Sequence, residues 1–271
     1  MNFIRCLTTG ALLMALLALP SVSFAAKGGW KFVSKKNGVL VERKKVKGSK
    51  LFAFRGRMKA KIHIAKLVTV LSKSSLRKKW VHRFHSSGNI AKPSELERIY
   101  WIRFDLPWPA SDRDFVFYTK AYPDLIKRTF IARVKSITHK KYPKQKCCIR
   151  AFASKTFYKF TAIKQKKGST AGPWTKIEVE VHTDPKGWLP AWLINRIQAK
   201  WPNRTLRNLL KTARTTKPHR LMVFWHSHKS LREHYRKLPK GFKLPKGFQL
   251  PKGFLPGDAK KPAPRVAPKK K

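Results

Sequence analysis

The chain has 271 residues and carries 63 Lys and Arg against 12 Asp and Glu, a formal charge of +51. With 42% hydrophobic residues, 17 Phe and 9 Trp it holds ample material for a core, which excludes a disordered polycation. The charge selects polyanions, whether anionic membrane surfaces, nucleic acid or acidic polysaccharide, without choosing among them.

The first 25 residues read as a cleavable signal peptide: Arg5, an apolar run from Ala11 to Leu19, a break at Pro20, then Ser23-Phe24-Ala25. The run is too short to stay as a membrane span, so the mature protein is expected to be exported, periplasmic or secreted. About 200 residues then remain for one domain, expected over 26–216. Cleavage leaves Cys147 and Cys148, which are expected as unbridged strand residues on opposite faces because a ring between neighbours strains the peptide.

Trp30 to Val33, Val39 to Arg43 and Leu51 to Arg57 read as three short antiparallel strands, with Asn37-Gly38 and Gly48-Ser49 as the turns. Ile64, Leu67, Val68 and Leu71 recur at helical spacing, and a second short helix over Leu76 to Arg83 turns Trp80 inward. Gly88 to Pro93 reads as loop, and Glu95 to Phe104 as a strand.

That strand runs into a corner. Pro107 and Pro109 flank Trp108 and each removes a backbone donor, so the chain must turn there. Ser111 and Asp112 suit the turn, Arg113 and Asp114 are expected as a buried ion pair, and Phe115 to Tyr118 begins the next strand. Further strands follow over Thr129 to Thr138, Cys147 to Lys164 and Trp174 to Thr183. In the last of these Ile177, Val179 and Val181 alternate with polar residues. From Leu189 a long helix shows two stripes, Leu189-Trp192-Leu193-Ile197 and Leu206-Leu209-Leu210-Ala213, with a kink or break expected at Pro202 between them.

The corner, WPxSDRDFVxY, resembles the signature of START domains, the steroidogenic-acute-regulatory-related lipid transfer family. The later stretch DPKGWLPAWLIN is similar to the motif that opens the family's closing helix, with Asp184, Gly187, Pro190, Trp192, Leu193 and Asn195 in place. Pro202-Asn203 resembles the phosphatidylcholine-transfer branch. The resemblance implies an α+β helix-grip fold, in which a curved antiparallel sheet wraps a long C-terminal helix around an internal apolar cavity. It implies a lipid held there for transfer or sensing, by a monomer with no other cofactor. Trp101, Phe104, Trp108, Phe115 and Phe117 from the corner, Ile177 and Val179 from the last strand, and Leu189, Trp192, Leu193 and Ile197 from the helix are the expected cavity lining. Where sterol-carrying members place a buried acid and base, this chain has Tyr100 and Thr119, so the likeness does not extend to sterol.

Beyond the domain, 217–236 is a basic, aromatic extension in which Leu221 to Trp225 is expected to pack on the domain. The segment 237–271 repeats LPKGF, with Pro and Gly too frequent for helix or sheet. Phe242, Phe248 and Phe254 beside Lys240, Lys246 and Lys252 suit contact with an anionic membrane surface. His82-x-x-His85 and His226-x-His228 lack acidic or thiol companions at ligand spacing, so no metal is expected. No nucleophile elbow or phosphate loop occurs. The competing readings are a dedicated polyanion- or nucleic-acid-binding protein and a helix-grip enzyme of cyclase or hydrolase type, and no enzymatic activity is expected.

Overall fold

Alternation of apolar and polar residues builds much of the described chain into strands, and a long helix of helical-period pattern closes over them. The computed structural model describes residues 29–108, 110–124 and 127–219. The signal segment, Pro109 and everything from 220, including the membrane-contact candidates of the tail, lie outside the described residues. Ten strands form one sheet in the order β1-β2-β3-β10-β9-β7-β6-β5-β4, with β8 beside β6. They are β1 (Lys31–Lys36), β2 (Val39–Lys44), β3 (Ala53–Lys61), β4 (Phe84–Ser94) and β5 (Glu97–Phe104). After these come β6 (Asp112–Asp124), β7 (Thr129–Ser136), β8 (Cys148–Arg150), β9 (Phe152–Ile163) and β10 (Trp174–Asp184). Pairing is antiparallel throughout except between β6 and β8. The helices are α1 (Ile64–Ser72), a 3-10 turn (Ser74–Leu76), α2 (Arg77–Trp80) and α3 (Ala191–Arg214).

Asn37 and Gly38 sit at φ 53 and 73, the left-handed region a two-residue hairpin requires, so the β1–β2 turn follows directly from its residues. The expected loop over Gly88 to Pro93 is instead part of β4, an edge strand whose pairing with β5 shifts register three times. An edge strand with such irregularities tolerates Pro93, whose missing N–H would break an inner ladder. Gly88 also has a packing reason: a Cβ there would meet the Trp101 indole at 2.4 Å.

α3 runs unbroken through Pro202, so the break expected there does not occur. Pro202 is buried against β3, where a Cβ on Gly56 would lie 2.7 Å from the proline's own Cβ. Packing of ring on backbone compensates for the lost helical hydrogen bond. Leu206, Leu209 and Ala213 bury completely and join Ile177, Val179, Phe160, Val39, Val41 and α1 in one core. At about 1.5–3 kcal/mol per large side chain, that C-terminal half anchors the helix. The N-terminal half buries only Ile194 before Pro202, while Trp192 and Ile197 are 66% and 53% exposed. Of the first expected stripe, Trp192 and Ile197 therefore face solvent while Leu189 and Leu193 are half-buried.

Cys147 and Cys148 form a disulfide, contrary to the expectation of two separate strand residues. Cys147 belongs to the turn before β8, so the pair need not alternate across a sheet. A bridge between neighbours closes almost no loop, and the fold still rests on its core. Among the described residues no helix is long and apolar enough to cross a membrane.

Candidate functional site

Strand alternation sorts the aromatic residues near the corner onto two faces. In the β5–β6 register Tyr100 stands opposite Phe117, and Ile102 opposite Phe115. These four, with Phe104 and Phe84, point inward. Phe115 and Phe117 stack with centroids 5.0 Å apart, Phe104 meets Phe115 edge-on at 5.6 Å, and Tyr100 meets Phe117 at 5.7 Å. The result is a continuous aromatic wall.

Trp101 has the opposite parity and lies on the outer face, stacked on Tyr142 at 4.9 Å, so its expected place in the lining is corrected. Three more expected lining residues face solvent: Trp108 is 92% exposed, and Trp192 and Ile197 stand on the outer side of α3. Leu189 and Leu193 are half-buried. Ile177 and Val179 do point inward, but Leu206 and Leu209 are packed into the same core with them.

Among the described residues, hollows open at the surface with about 260 Å³ between the α1–α2 connection and the end of α3 and about 440 Å³ along Lys164–Lys167. Neither touches the expected lining residues.

Beside the aromatic wall lies a polar group that the sequence reading passed over. Arg77, 7% exposed, lays its guanidinium 3.8 Å from the centroid of the Tyr100 ring. Its Nη1 donates to Ser87 Oγ at 3.3 Å and its Nη2 reaches Asn89 Oδ1 at 3.5 Å. Among the described residues no carboxylate forms an ion pair with it. Burial pulls the Arg77 pKa down, partly offset by Tyr100, while Arg98 adds to the fall.

Burial likewise raises Tyr100, and it raises Tyr158 further still, with Tyr100 contributing, which brings the two phenols into one neighbourhood. Trp80 meets Tyr158 edge-on at 5.9 Å, and its buried Nε1 has no acceptor among the described residues. Arg77 lies one helical turn before Trp80, so both side chains leave the same face of α2. That spacing was the available signal: a tryptophan read as inward carries its i−3 neighbour inward with it.

The motif residues act as ties. Arg113, 2% exposed, donates Nε to Pro185 O and Nη2 to Lys186 O, each at 3.1 Å, and Nη1 to Ser111 O. Asp114, fully buried, instead takes Arg150 Nε at 3.0 Å and Nη2 at 2.8 Å. The expected Arg113–Asp114 pair is thereby corrected, because consecutive strand residues point to opposite faces. Asp112 accepts from Arg103 Nε at 2.8 Å and from the Leu106 amide at 3.2 Å.

Gly187 has φ +79, and a Cβ there would lie 3.0 Å from Ile149 and 3.1 Å from Arg113 Nη2, so only glycine fits. Asp184 caps this turn by accepting from the Lys186 amide at 2.9 Å. Pro190 starts α3, its carbonyl accepting from Leu193 and Ile194 at 3.1 Å. Asn195 then pins the helix to the β2–β3 connection, accepting from Phe52 N at 2.9 Å and donating to Lys50 O at 3.2 Å.

His85, Asp105 and Asp112 converge within 4.8 Å, an acidic environment that the spacing of His82-x-x-His85 did not disclose. Arg103 already engages Asp112 there, so the trio is better explained as an ion-paired corner than as a cation site.

A long helix closing on one sheet, with an arginine tie from the β5–β6 corner to the loop before that helix, makes an α+β protein of helix-grip architecture. The START domain family model matches residues 14–214, and the chain belongs to that family. An uncharacterized protein of Pseudomonas aeruginosa is 27% identical over 207 residues, covering 75% of this chain and 98% of its own. Mouse START domain-containing protein 10 is 26% identical over 188 residues, and the match spans 69% of this chain and 62% of the mouse protein. Among solved structures, human STARD10 superposes with TM-score 0.61 at 25% identity, over 70% of this chain and 74% of that one. A Xanthomonas axonopodis STAR-related lipid transfer protein fragment gives 0.58 at 24% identity, over 69% and 99%, a likeness of fold.

Proposed function

We propose that the chain binds one amphiphile per molecule and carries it between membranes or reports its presence, without covalent chemistry. The observation that carries this reading is Arg77. A guanidinium cannot shed its proton, and a buried charge without a counterion is costly, so the position calls for an anion supplied from outside the chain. A phosphate or carboxylate head against Arg77, Tyr100 and the Trp80 N–H, with its apolar tail along Phe115 and Phe117, supplies that anion. Each methylene buried in such a wall adds about 0.8 kcal/mol, so one or two acyl chains suffice for tight binding. Room for them requires the weakly buried first half of α3 to part from the sheet.

Bilayer contact is assigned to the end of the molecule built from the β5–β6 corner, the start of β9 and the loop before α3. Arg113 ties the corner to the loop before α3, β9–β10 pairing sets Phe152 opposite Asp184, and these segments expose Trp108, Phe152, Trp188 and Trp192. Exposed tryptophans near cations suit the membrane interface. The strongly basic chain adds attraction to anionic lipid, and export by the first 25 residues would bring it to an envelope membrane. Cleavage after Ala25 would leave a mature chain that begins at Ala26.

Native mass spectrometry tests the central reading. Purified wild type should retain one phosphate- or carboxylate-headed lipid, and Arg77→Gln should lose most of it while keeping native circular dichroism. Full retention by a folded Arg77→Gln protein would remove the argument.

A further inference from the structure

Charge is segregated between the two sides of this fold. Glu233 and Asp258 lie outside the described residues, and the other ten acidic side chains all belong to strands or to segments joining strands. From Arg43 to Ser94, and again from Pro185 to His219, no Asp or Glu occurs. The helical layer of α1, α2 and α3 is therefore free of acid. On α3 this becomes a line: Arg196, Lys200, Arg204, Arg207, Lys211 and Arg214 are all exposed. At 100° and 1.5 Å per residue they fall within about 80° of arc and along about 27 Å of helix. Every exposed position between Gln198 and Arg214 is a cation. Arg204 Nη1 lies 2.9 Å from His82 Nε2, which leaves its remaining donors outward.

We infer that this acid-free face of α3 binds the phosphodiester backbone of a nucleic acid, lengthwise and without regard to sequence. Charge density matches: about 27 Å of helix spans about eight phosphates of one strand at 3.4 Å rise, against six cations. Four of the six are arginines, whose planar forks suit phosphate oxygens. Past Ile197 the ridge exposes no aromatic or other large apolar side chain, so neither base stacking nor bilayer insertion is available to it.

Orientation also argues against a membrane as its partner, a step that rests on the docking end assigned above. α3 begins at the Trp188–Trp192 end and runs 24 residues, about 36 Å, away from it. Cations beyond its first turns then stand farther from a bilayer contacted at that end than the screening length of about 8 Å.

Any protein of +51 binds DNA in dilute salt, so the test compares faces at equal charge. The probe is a fluorescent 20-base-pair duplex titrated with full-length protein across a salt series. One variant carries R196Q, K200Q, R204Q, R207Q, K211Q and R214Q. Its control removes six exposed cations from the outer sheet face, as K59Q, R133Q, K135Q, K155Q, K159Q and K176Q. At about 0.9 per phosphate contact, the ridge variant should flatten the slope of log K against log salt by about 5, and the control by no more than about 1.

Equal losses in the two variants would overturn the assignment, leaving only diffuse attraction. A sulfated glycan that displaces the duplex and depends more strongly on the ridge would reassign the occupant. Vesicle sedimentation lost with the ridge while duplex binding persists would give the face to the bilayer. Circular dichroism reports folding, and should the sixfold variant unfold, R204Q, R207Q and K211Q together carry the same expectation at about half the slope change. Lipid retention is measured separately, so failure of the ridge and failure of the Arg77 reading are told apart.

Discussion

Substituting Asp114 by Asn tests whether the β5–β6 corner is held as the structure implies. The carboxylate is fully buried and receives two N–H bonds from Arg150, whose side chain is 16% exposed. Removing one partner of a buried pair costs about 3–5 kcal/mol, because the remaining charge keeps its desolvation without its counterion. Arg150 retains the Pro143 carbonyl at 2.9 Å and the Tyr142 ring at 5.3 Å, and Asn retains one acceptor. The expected loss therefore sits at the lower end, about 3 kcal/mol, which for a domain of this size lowers the melting temperature by about 6–12 °C. Thermal melts of Asp114→Asn, Arg150→Met and the double variant form a cycle whose coupling energy should exceed about 1.5 kcal/mol. A single variant that melts within about 2 °C of wild type, or a coupling under about 0.5 kcal/mol, would refute the idea that this pair fixes the corner.

Asn195→Ala strands the Phe52 amide and should cost about 1–3 kcal/mol, with faster hydrogen exchange at Phe52 and through the first turns of α3; unchanged exchange there would contradict the tie. Burial tends to raise the Asp112 carboxyl, but Arg103 and the Leu106 amide outweigh it and hold the pKa below the usual range. A depressed folded pKa means that this contribution is full above the unfolded value of about 3.9 and is lost as pH falls through the folded one. Urea midpoints should thus decline on acidification more steeply for wild type than for Asp112→Asn, and the reverse ordering would show the sign to be wrong. Deleting 237–271, which carries 11 Lys and Arg and three LPKGF units, should leave lipid occupancy intact while weakening sedimentation with anionic vesicles; equal sedimentation would assign membrane attraction to the domain alone.

Local chemistry was enough to read much of this protein from its residues. The Asn37-Gly38 turn, the period-two strands around Ile177 and Val179, the inward Trp80 and the apolar stripe at Leu206 and Leu209 each follow from rules that act over a few residues. The motifs around Arg113 and Asn195 carried the family for the same reason, since they are contiguous words. Alternation also announces two faces on every strand, and it could have separated Trp101 from Phe104, three residues away.

What alternation cannot name is which face is inner. That depends on how ten strands are ordered and on which side α3 closes, a global outcome that puts Trp101 outside and Tyr100 inside. Tertiary structure likewise decided that Arg113 holds carbonyls seventy residues on while Asp114 takes Arg150, and that Trp192 and Ile197 meet solvent because only the far half of α3 finds a core. It gathered Arg77, from a four-residue helix, beneath an aromatic wall drawn from other strands. Composition announced +51, but only packing could gather the helices of the acid-free segments 43–94 and 185–219 into one layer, because charge carries no information about neighbours distant in sequence.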